Sequence, residues 1–148
     1  MSTQRITINQ TFNAPVSQVF STLSDHEKFG EICGISMKRV VDGKGHTNGL
    51  GSVREIKIGL LPAFQETITK FIENERLEYK ISKGSPIKNH LGILMFSEKA
   101  GKTELNYTIE LESKIPFTTF LIKTVLGMGI RQGLKRHAGS LTKNNRKS

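Results

Sequence analysis

The sequence predicts an α+β domain in which an antiparallel sheet of about seven strands precedes one long C-terminal helix. Three observations carry this. Apolar residues recur with period 2 from Ile35 to Leu111, the turns between those runs are mostly short, and the only long helical stretch left is 116–141. The 148 residues suit a single core, so the whole chain, 1–148, is expected to be one domain.

Ile6, Ile8 and Phe12 alternate with Thr7, Asn9 and Thr11, the pattern of a half-buried first strand. Asn13-Ala14-Pro15 ends it, and Val16, Val19, Phe20 and Leu23 follow at helical spacing behind Pro15, whose missing N–H is no loss in a first turn. Ser24-Asp25 predicts a second N-cap and Gly34 a stop. Ile35, Met37 and Val41 form the next stripe, closed by Asp42-Gly43-Lys44-Gly45; Ile56, Ile58 and Leu60 follow, up to Pro62. Phe64 and Ile68, then Leu77, Tyr79 and Ile81, continue the alternation. Leu91–Phe96 is too uniformly apolar for parity to assign a face. Ala100-Gly101-Lys102 reads as a tight hairpin turn, after which Leu105, Tyr107, Ile109 and Leu111 alternate with polar residues.

Each strand has one apolar and one polar face, so one side of the sheet is wet and the other needs a cover. Segment 116–141 supplies it. Its apolar direction changes at Gly127-Met128-Gly129, where two glycines weaken a helix by about 1 kcal/mol each relative to alanine. A kinked helix and two helices meeting there both fit, with a frayed basic tail over about 142–148.

The net charge of +9 is unevenly placed. Residues 1–112 hold 14 Lys/Arg and all 13 Asp/Glu, whereas residues 113–148 hold 8 Lys/Arg and no acid. The lone Cys33 excludes an intrachain disulfide and multi-cysteine metal sites, and is expected to be a small core residue. No run approaches the roughly 18 apolar residues that cross a bilayer, and the N-terminus lacks a secretory pattern, so a soluble, cytoplasmic protein is expected.

The order of elements, with the motifs ITINQTFNAPVSQVFSTLSDHEKFGEI, ENERLEYKI and AGKTELNYTIELE, resembles the START-like (SRPBCC) superfamily over about residues 4–141, in particular the small bacterial polyketide cyclase/dehydrase-like proteins. The resemblance implies the helix-grip fold: a curved sheet whose concave face the C-terminal helix crosses, with a cavity between them. Where relatives often carry a Trp in the second helix, this chain has Phe29-Gly30-Glu31-Ile32.

The surfaces that would line such a cavity carry Met37, Ile56, Ile58, Phe64, Ile68, Tyr79, Tyr107, Ile109, Phe120, Val125 and Met128, and the same residues could equally fill a solid core. Arg54 and Glu66 share the parity of these stripes. They are either an inward pair that holds a polar ligand group, or solvated side chains near strand ends; the reach of long side chains favours the latter. The hydroxyls of Tyr79 and Tyr107 are expected to find a structural hydrogen-bond partner rather than to move protons. His90 is expected at the surface or a sheet edge, and a place at a pocket mouth is the alternative.

No histidine spacing suggests a metal site, and no cofactor motif is present. The leading expectation is binding of a hydrophobic small molecule or lipid, by a monomer or homodimer, with access at the Gly127-Met128-Gly129 bend and the loop 84–89. A cyclase or dehydratase in the same cavity, with Glu66, His90, Tyr79 and Tyr107 as candidate catalytic residues, is the second. Docking on an anionic membrane or a macromolecule through the basic segment 131–147 is the third; nucleic acid fits it poorly, because the aromatics of single-strand binders are missing.

Overall fold

The computed structural model describes residues 2–60, 62–84, 88–113 and 116–147; the side chains of residues 2–3, 88–89, 113, 116–123, 125 and 143–147 lie outside the description. The elements run β1 (Ser2–Phe12), α1 (Val16–Ser24), α2 (His26–Cys33), β2 (Ser36–Val41), β3 (Val53–Lys57), β4 (Phe64–Ile72), β5 (Arg76–Lys83), β6 (Lys88–Lys99), β7 (Lys102–Ser113) and α3 (Pro116–Lys147). Their strands form one antiparallel sheet in the order β1-β7-β6-β5-β4-β3-β2. Consecutive strands are neighbours from β2 to β7, as short turns require, and β1 closes against β7.

Local chemistry sets the element ends. Asp25 caps α2 by accepting from the Lys28 N–H at 3.1 Å, and Gly34 ends it in the left-handed region. Ala100 and Gly101 both take positive φ between the paired Lys99 and Lys102, making the two-residue hairpin turn. Pro15 leaves α1 without a side-chain cap of its own, and Glu98 of β6 supplies one: its carboxylate accepts the Val16 N–H at 2.8 Å. The glycine-rich stretch between β2 and β3 is a set of turns, with Gly45 and Gly51 at positive φ.

Two rows of residues cross the inward face of the sheet. Ile6, Ile109, Gly92, Tyr79 and Ile68 are cross-strand partners in sequence, and so are Ile8, Tyr107, Leu94, Leu77 and Phe71. Parity therefore resolves β6 once the register is known: His90, Gly92, Leu94 and Phe96 point inward and Met95 outward. Helices α1 and α2 close one end, where Phe20 meets Phe71 and Phe96 edge-on.

Two stripes stop short of their sequence prediction, and the last helix runs past its own. A bulge between Arg39 and Val41 breaks the parity of β2, leaving Val41 half exposed. β3 ends at Lys57, so Ile58 is only partly buried and Leu60 is fully exposed in the turn that follows. Segment 116–147 is one continuous helix through Gly127 and Gly129, and it continues to Lys147 past the expected fraying. It packs on β1, β7 and α2, burying Ile130, Leu134, Ala138 and Leu141. No helix among the described residues is long and apolar enough to cross a membrane.

The glycines of α3 are not equivalent. A Cβ on Gly133 would overlap the Ile32 carbonyl, so the α2–α3 approach depends on its absence; on Gly127 and Gly129 the nearest atoms, Ile6 Cγ2 and the Cys33 carbonyl, lie at an ordinary 3.6 and 3.8 Å. Gly133→Ala should therefore destabilise the fold by about 1–3 kcal/mol. The double variant Gly127→Ala/Gly129→Ala should be neutral or more stable, by up to about 1 kcal/mol per site. Urea midpoints of the two variants check this contrast.

Candidate functional site

Among the described residues one place on the inward face carries charge. Arg54 on β3 and Glu66 on β4 are direct cross-strand partners, and both are buried, at 3% and 4% exposure. The expectation that they reach water is thus overturned. The register sets them face to face, and α2 lies over the guanidinium, whose Cζ sits 5.3 Å from the Phe29 ring and 4.4 Å from the Tyr79 ring. Arg54 Nε donates to Glu66 Oε1 at 2.8 Å. Nη2 is 2.7 Å from the same oxygen but off the N–H direction, so it adds ionic contact while its hydrogen-bonding capacity stays unused.

The other carboxylate oxygen, Oε2, faces His90 Nε2 at 3.6 Å. His90 is buried at 7% exposure rather than at the surface, because β6 parity points it inward and its ring packs beside Tyr79, 5.4 Å between centroids. Its Nδ1 has no partner. The Tyr79 and Tyr107 hydroxyls hydrogen-bond each other, so the partner each was expected to find is the other tyrosine. Gly92 makes this possible. It is the cross-strand partner of Tyr79, and a Cβ there would overlap the Tyr79 ring.

His26, at the start of α2, is a member the sequence reading missed. Its Nε2 lies 2.9 Å from Ser52 Oγ, and its Nδ1 is buried without a partner. Asn48 ties the same corner together, accepting from Arg39 Nη1 at 3.1 Å and from the His26 N–H at 3.5 Å. The only advance signal was the position of His26 behind the Asp25 cap, which alone says nothing about burial.

Of the other predicted lining residues, Ile56, Ile68 and Ile109 are buried inward, and Met37, Ile58 and Phe64 are partly buried. Met128 is a correction: it is 54% exposed, because the inward side of α3 is taken by Gly127, Ile130 and Leu134. The side chains of Phe120 and Val125, and most of the loop 84–89, lie outside the described residues.

Burial governs protonation here. It lowers His26 to about 3, helped by the positive charges of Arg54 and Arg39. Burial also lowers His90, with Glu66 opposing and Arg54 assisting. Tyr79 and Tyr107 are pushed well up, chiefly by desolvation, and the Cys33 thiol rises to about 12 for the same reason. For Arg54 burial opposes the charge, but the Glu66 carboxylate beside it holds the guanidinium above its ordinary value. At neutral pH the site thus holds one ion pair, neutral imidazoles, two phenols and a thiol inert as a nucleophile. It can donate and accept hydrogen bonds, and His90 Nδ1 is a free base or donor according to tautomer. Among the described residues no group of three His, Cys, Asp or Glu could hold a metal ion.

The family described as polyketide cyclase / dehydrase and lipid transport matches residues 3–143. No curated protein matches the sequence significantly. Among solved structures, the Zhui aromatase/cyclase from Streptomyces sp. R1128 superposes with a TM-score of 0.74 at 12% identity, over 93% of this chain and 94% of that one. A protein from Nitrosospira multiformis gives 0.70 at 22% identity over 97% and 99%. Norcoclaurine synthase from Thalictrum flavum gives 0.70 at 9% identity over 95% and 94%. These likenesses establish the helix-grip fold.

Two consequences can be measured. Arg54→Met leaves Glu66 buried without its partner and should cost about 3–5 kcal/mol, whereas Arg54→Met/Glu66→Leu should recover most of that; chemical denaturation of both variants tests the pair. For His26, the folded state takes a proton only near pH 3 and the unfolded state near 6.5. The stability held by its neutral form is complete above 6.5 and is lost as pH falls towards 3, at about 1.4 kcal/mol per pH unit. Unfolding free energies measured across that window should show a shallower acid slope in His26→Gln.

Proposed function

The chain belongs to the polyketide cyclase / dehydrase and lipid transport family, and from that premise we propose that it encloses a hydrophobic small molecule between the inward face of the sheet and α3. One observation carries the reading. A mostly apolar surface holds a compact polar cluster, Arg54, Glu66, His90, Tyr79 and Tyr107, in which His90 Nδ1 is buried without a hydrogen-bond partner and Arg54 Nη2, in ionic contact with Glu66, makes no well-directed hydrogen bond. A solid core leaves few such groups, because each unpaired buried donor or acceptor costs about 1–3 kcal/mol. A ligand with an apolar body and a polar end satisfies both halves of the surface.

Binding is then driven by apolar area removed from water, at about 25 cal/mol per Å² before ordering costs, and the cluster fixes which end goes in first. A cyclase- or dehydratase-type reaction at the same place is the second reading. His90 favours it, being placed beside a carboxylate with Nδ1 free to exchange a proton with a bound molecule.

Native mass spectrometry of freshly purified protein is expected to show a co-purified small molecule that Arg54→Met/Glu66→Leu no longer retains. A ligand whose mass stays constant on incubation marks a binder. Loss of water from it, abolished in His90→Gln, marks an enzyme. Protein that comes through empty and fails to take up any apolar probe would overturn the proposal.

A further inference from the structure

We infer that the outer face of α3 is a docking surface for an anionic lipid membrane. The inference stands on the charge and shape of that helix and does not need the pocket.

Unbalanced charge sits in one segment of the chain. Residues 1–112 carry 14 Lys/Arg against 13 Asp/Glu, whereas 113–148 carry 8 Lys/Arg and no acid. Almost all of that segment is one continuous helix of 32 residues, a rod about 48 Å long at 1.5 Å per residue. Ile130, Leu134, Ala138 and Leu141 seat it on the body. On the opposite side Met128, Arg131, Gln132, Lys135, Arg136 and Gly139 are exposed, within an arc of about 140° at 3.6 residues per turn. The near-neutral remainder of the chain leaves the field of this side uncancelled, so the molecule approaches an anionic plane with α3 foremost. Glu31 of α2 lines the same shallow depression as Arg136 and offsets at most one of these charges.

Such a surface matches a plane of many like headgroups better than a folded partner or a nucleic acid. A protein partner is held at its centre by apolar or aromatic anchors in fitted pockets. Here the one large apolar side chain exposed on the described part of the helix is Met128. A DNA groove takes a helix that stands clear of its own domain, and α3 lies lengthwise on β1 and β7 with α2 against it. Single strands ask for stacked aromatics, which the exposed residues of this face do not include. A lipid surface demands neither anchor nor groove. It rewards each nearby Lys or Arg with about fivefold in affinity, and Met128 is placed to dip between headgroups beside the seated cations. Because α3 also covers the inward face of the sheet, docking sets that cover against the bilayer.

Cosedimentation of the full chain with vesicles tests this, using phosphatidylcholine alone and phosphatidylcholine with phosphatidylserine as the minor component. Binding to the mixed vesicles is expected to exceed binding to the neutral ones by at least about tenfold, and to fade as ionic strength rises from about 0.1 M to about 1 M. Arg131→Gln/Lys135→Gln/Arg136→Gln keeps good helix formers and should lower it about a hundredfold. Lys44→Gln/Lys80→Gln/Lys102→Gln removes the same charge from exposed positions elsewhere and should lower it by less than about threefold. Arg131 also donates to the Thr7 carbonyl at 3.2 Å. If the first variant does not fold by circular dichroism, Lys135→Gln/Arg136→Gln, which keeps that bond, carries the test with an expected loss of about twentyfold. Equal binding to both kinds of vesicle overturns the inference. So does an equal loss in the two triple variants, which would make net charge rather than this face the cause. Absence of vesicle binding overturns it as well, and a short DNA duplex retained instead would reassign the face to nucleic acid.

Discussion

The buried contact between Arg54 and Glu66 imposes more on this fold than any apolar pair does. Each ion gives up several kcal/mol of hydration on entering the interior, so both must be held where mutual attraction is strongest. The antiparallel register of β3 and β4 places them directly opposite, and Phe29 and Tyr79 cover the two sides of the guanidinium. A slip of either strand by one residue would turn its member of the pair to the wet face of the sheet. The pair therefore ties strand register, the seat of α2 and the tilt of the Tyr79 ring to one another. Apolar residues of similar volume would serve stability as well or better, so the pair contributes specificity of arrangement rather than net stability.

The tyrosines extend the same logic. Tyr79 leans across β6 towards Tyr107, and it can do so only because its cross-strand partner is Gly92. A glycine in the middle of a strand normally weakens it. Here the missing side chain becomes the space the ring occupies, so the loss of β propensity and the gain of a satisfied hydroxyl pair are one structural event. His90 sits two residues away on the same face, its ring beside Tyr79 and its Nε2 towards Glu66. Five adjacent strands, β3 to β7, thus each contribute one polar group to a single patch of a mostly apolar surface.

Much of this was readable from parity alone, and the limits of parity explain the rest. Period 2 places Ile6, Ile8, Leu77, Tyr79, Leu105, Tyr107 and Ile109 inward, and all are buried. It also gives Arg54 and Glu66 the inward sign, but a flexible stem of three or two methylenes can bend to water from an inward position, so parity cannot decide burial for them. What decides it is α2 lying over Arg54, a contact between residues far apart in sequence. Val41 and Leu60 fail for the opposite reason: a bulge and an early strand end interrupt the alternation without any mark in the apolar pattern. The cap that Glu98 gives α1 spans 82 positions and has no local signature. His26 turns inward because Asp25, Ser52 and Asn48 fix the corner around it, and its sequence neighbourhood carries no trace of Ser52 or Asn48.

Two electrostatic systems coexist in the chain and act over different ranges. Arg131, Lys135 and Arg136 stand on the exposed side of α3 with no acidic residue anywhere in 113–148. Charges of this kind are screened within about 10 Å at ordinary ionic strength. They act on what approaches the surface and on how fast it arrives, and they are poorly placed to influence a choice made inside. Arg54 and Glu66 are the reverse case: both are buried, so a single additional charge beside them is screened far less than at the surface. The net charge of +9 is consequently a poor guide to what the interior accepts. A strongly basic helix face and a neutralised buried pair thus coexist in one chain, and their different reach follows from the difference in dielectric between the two places.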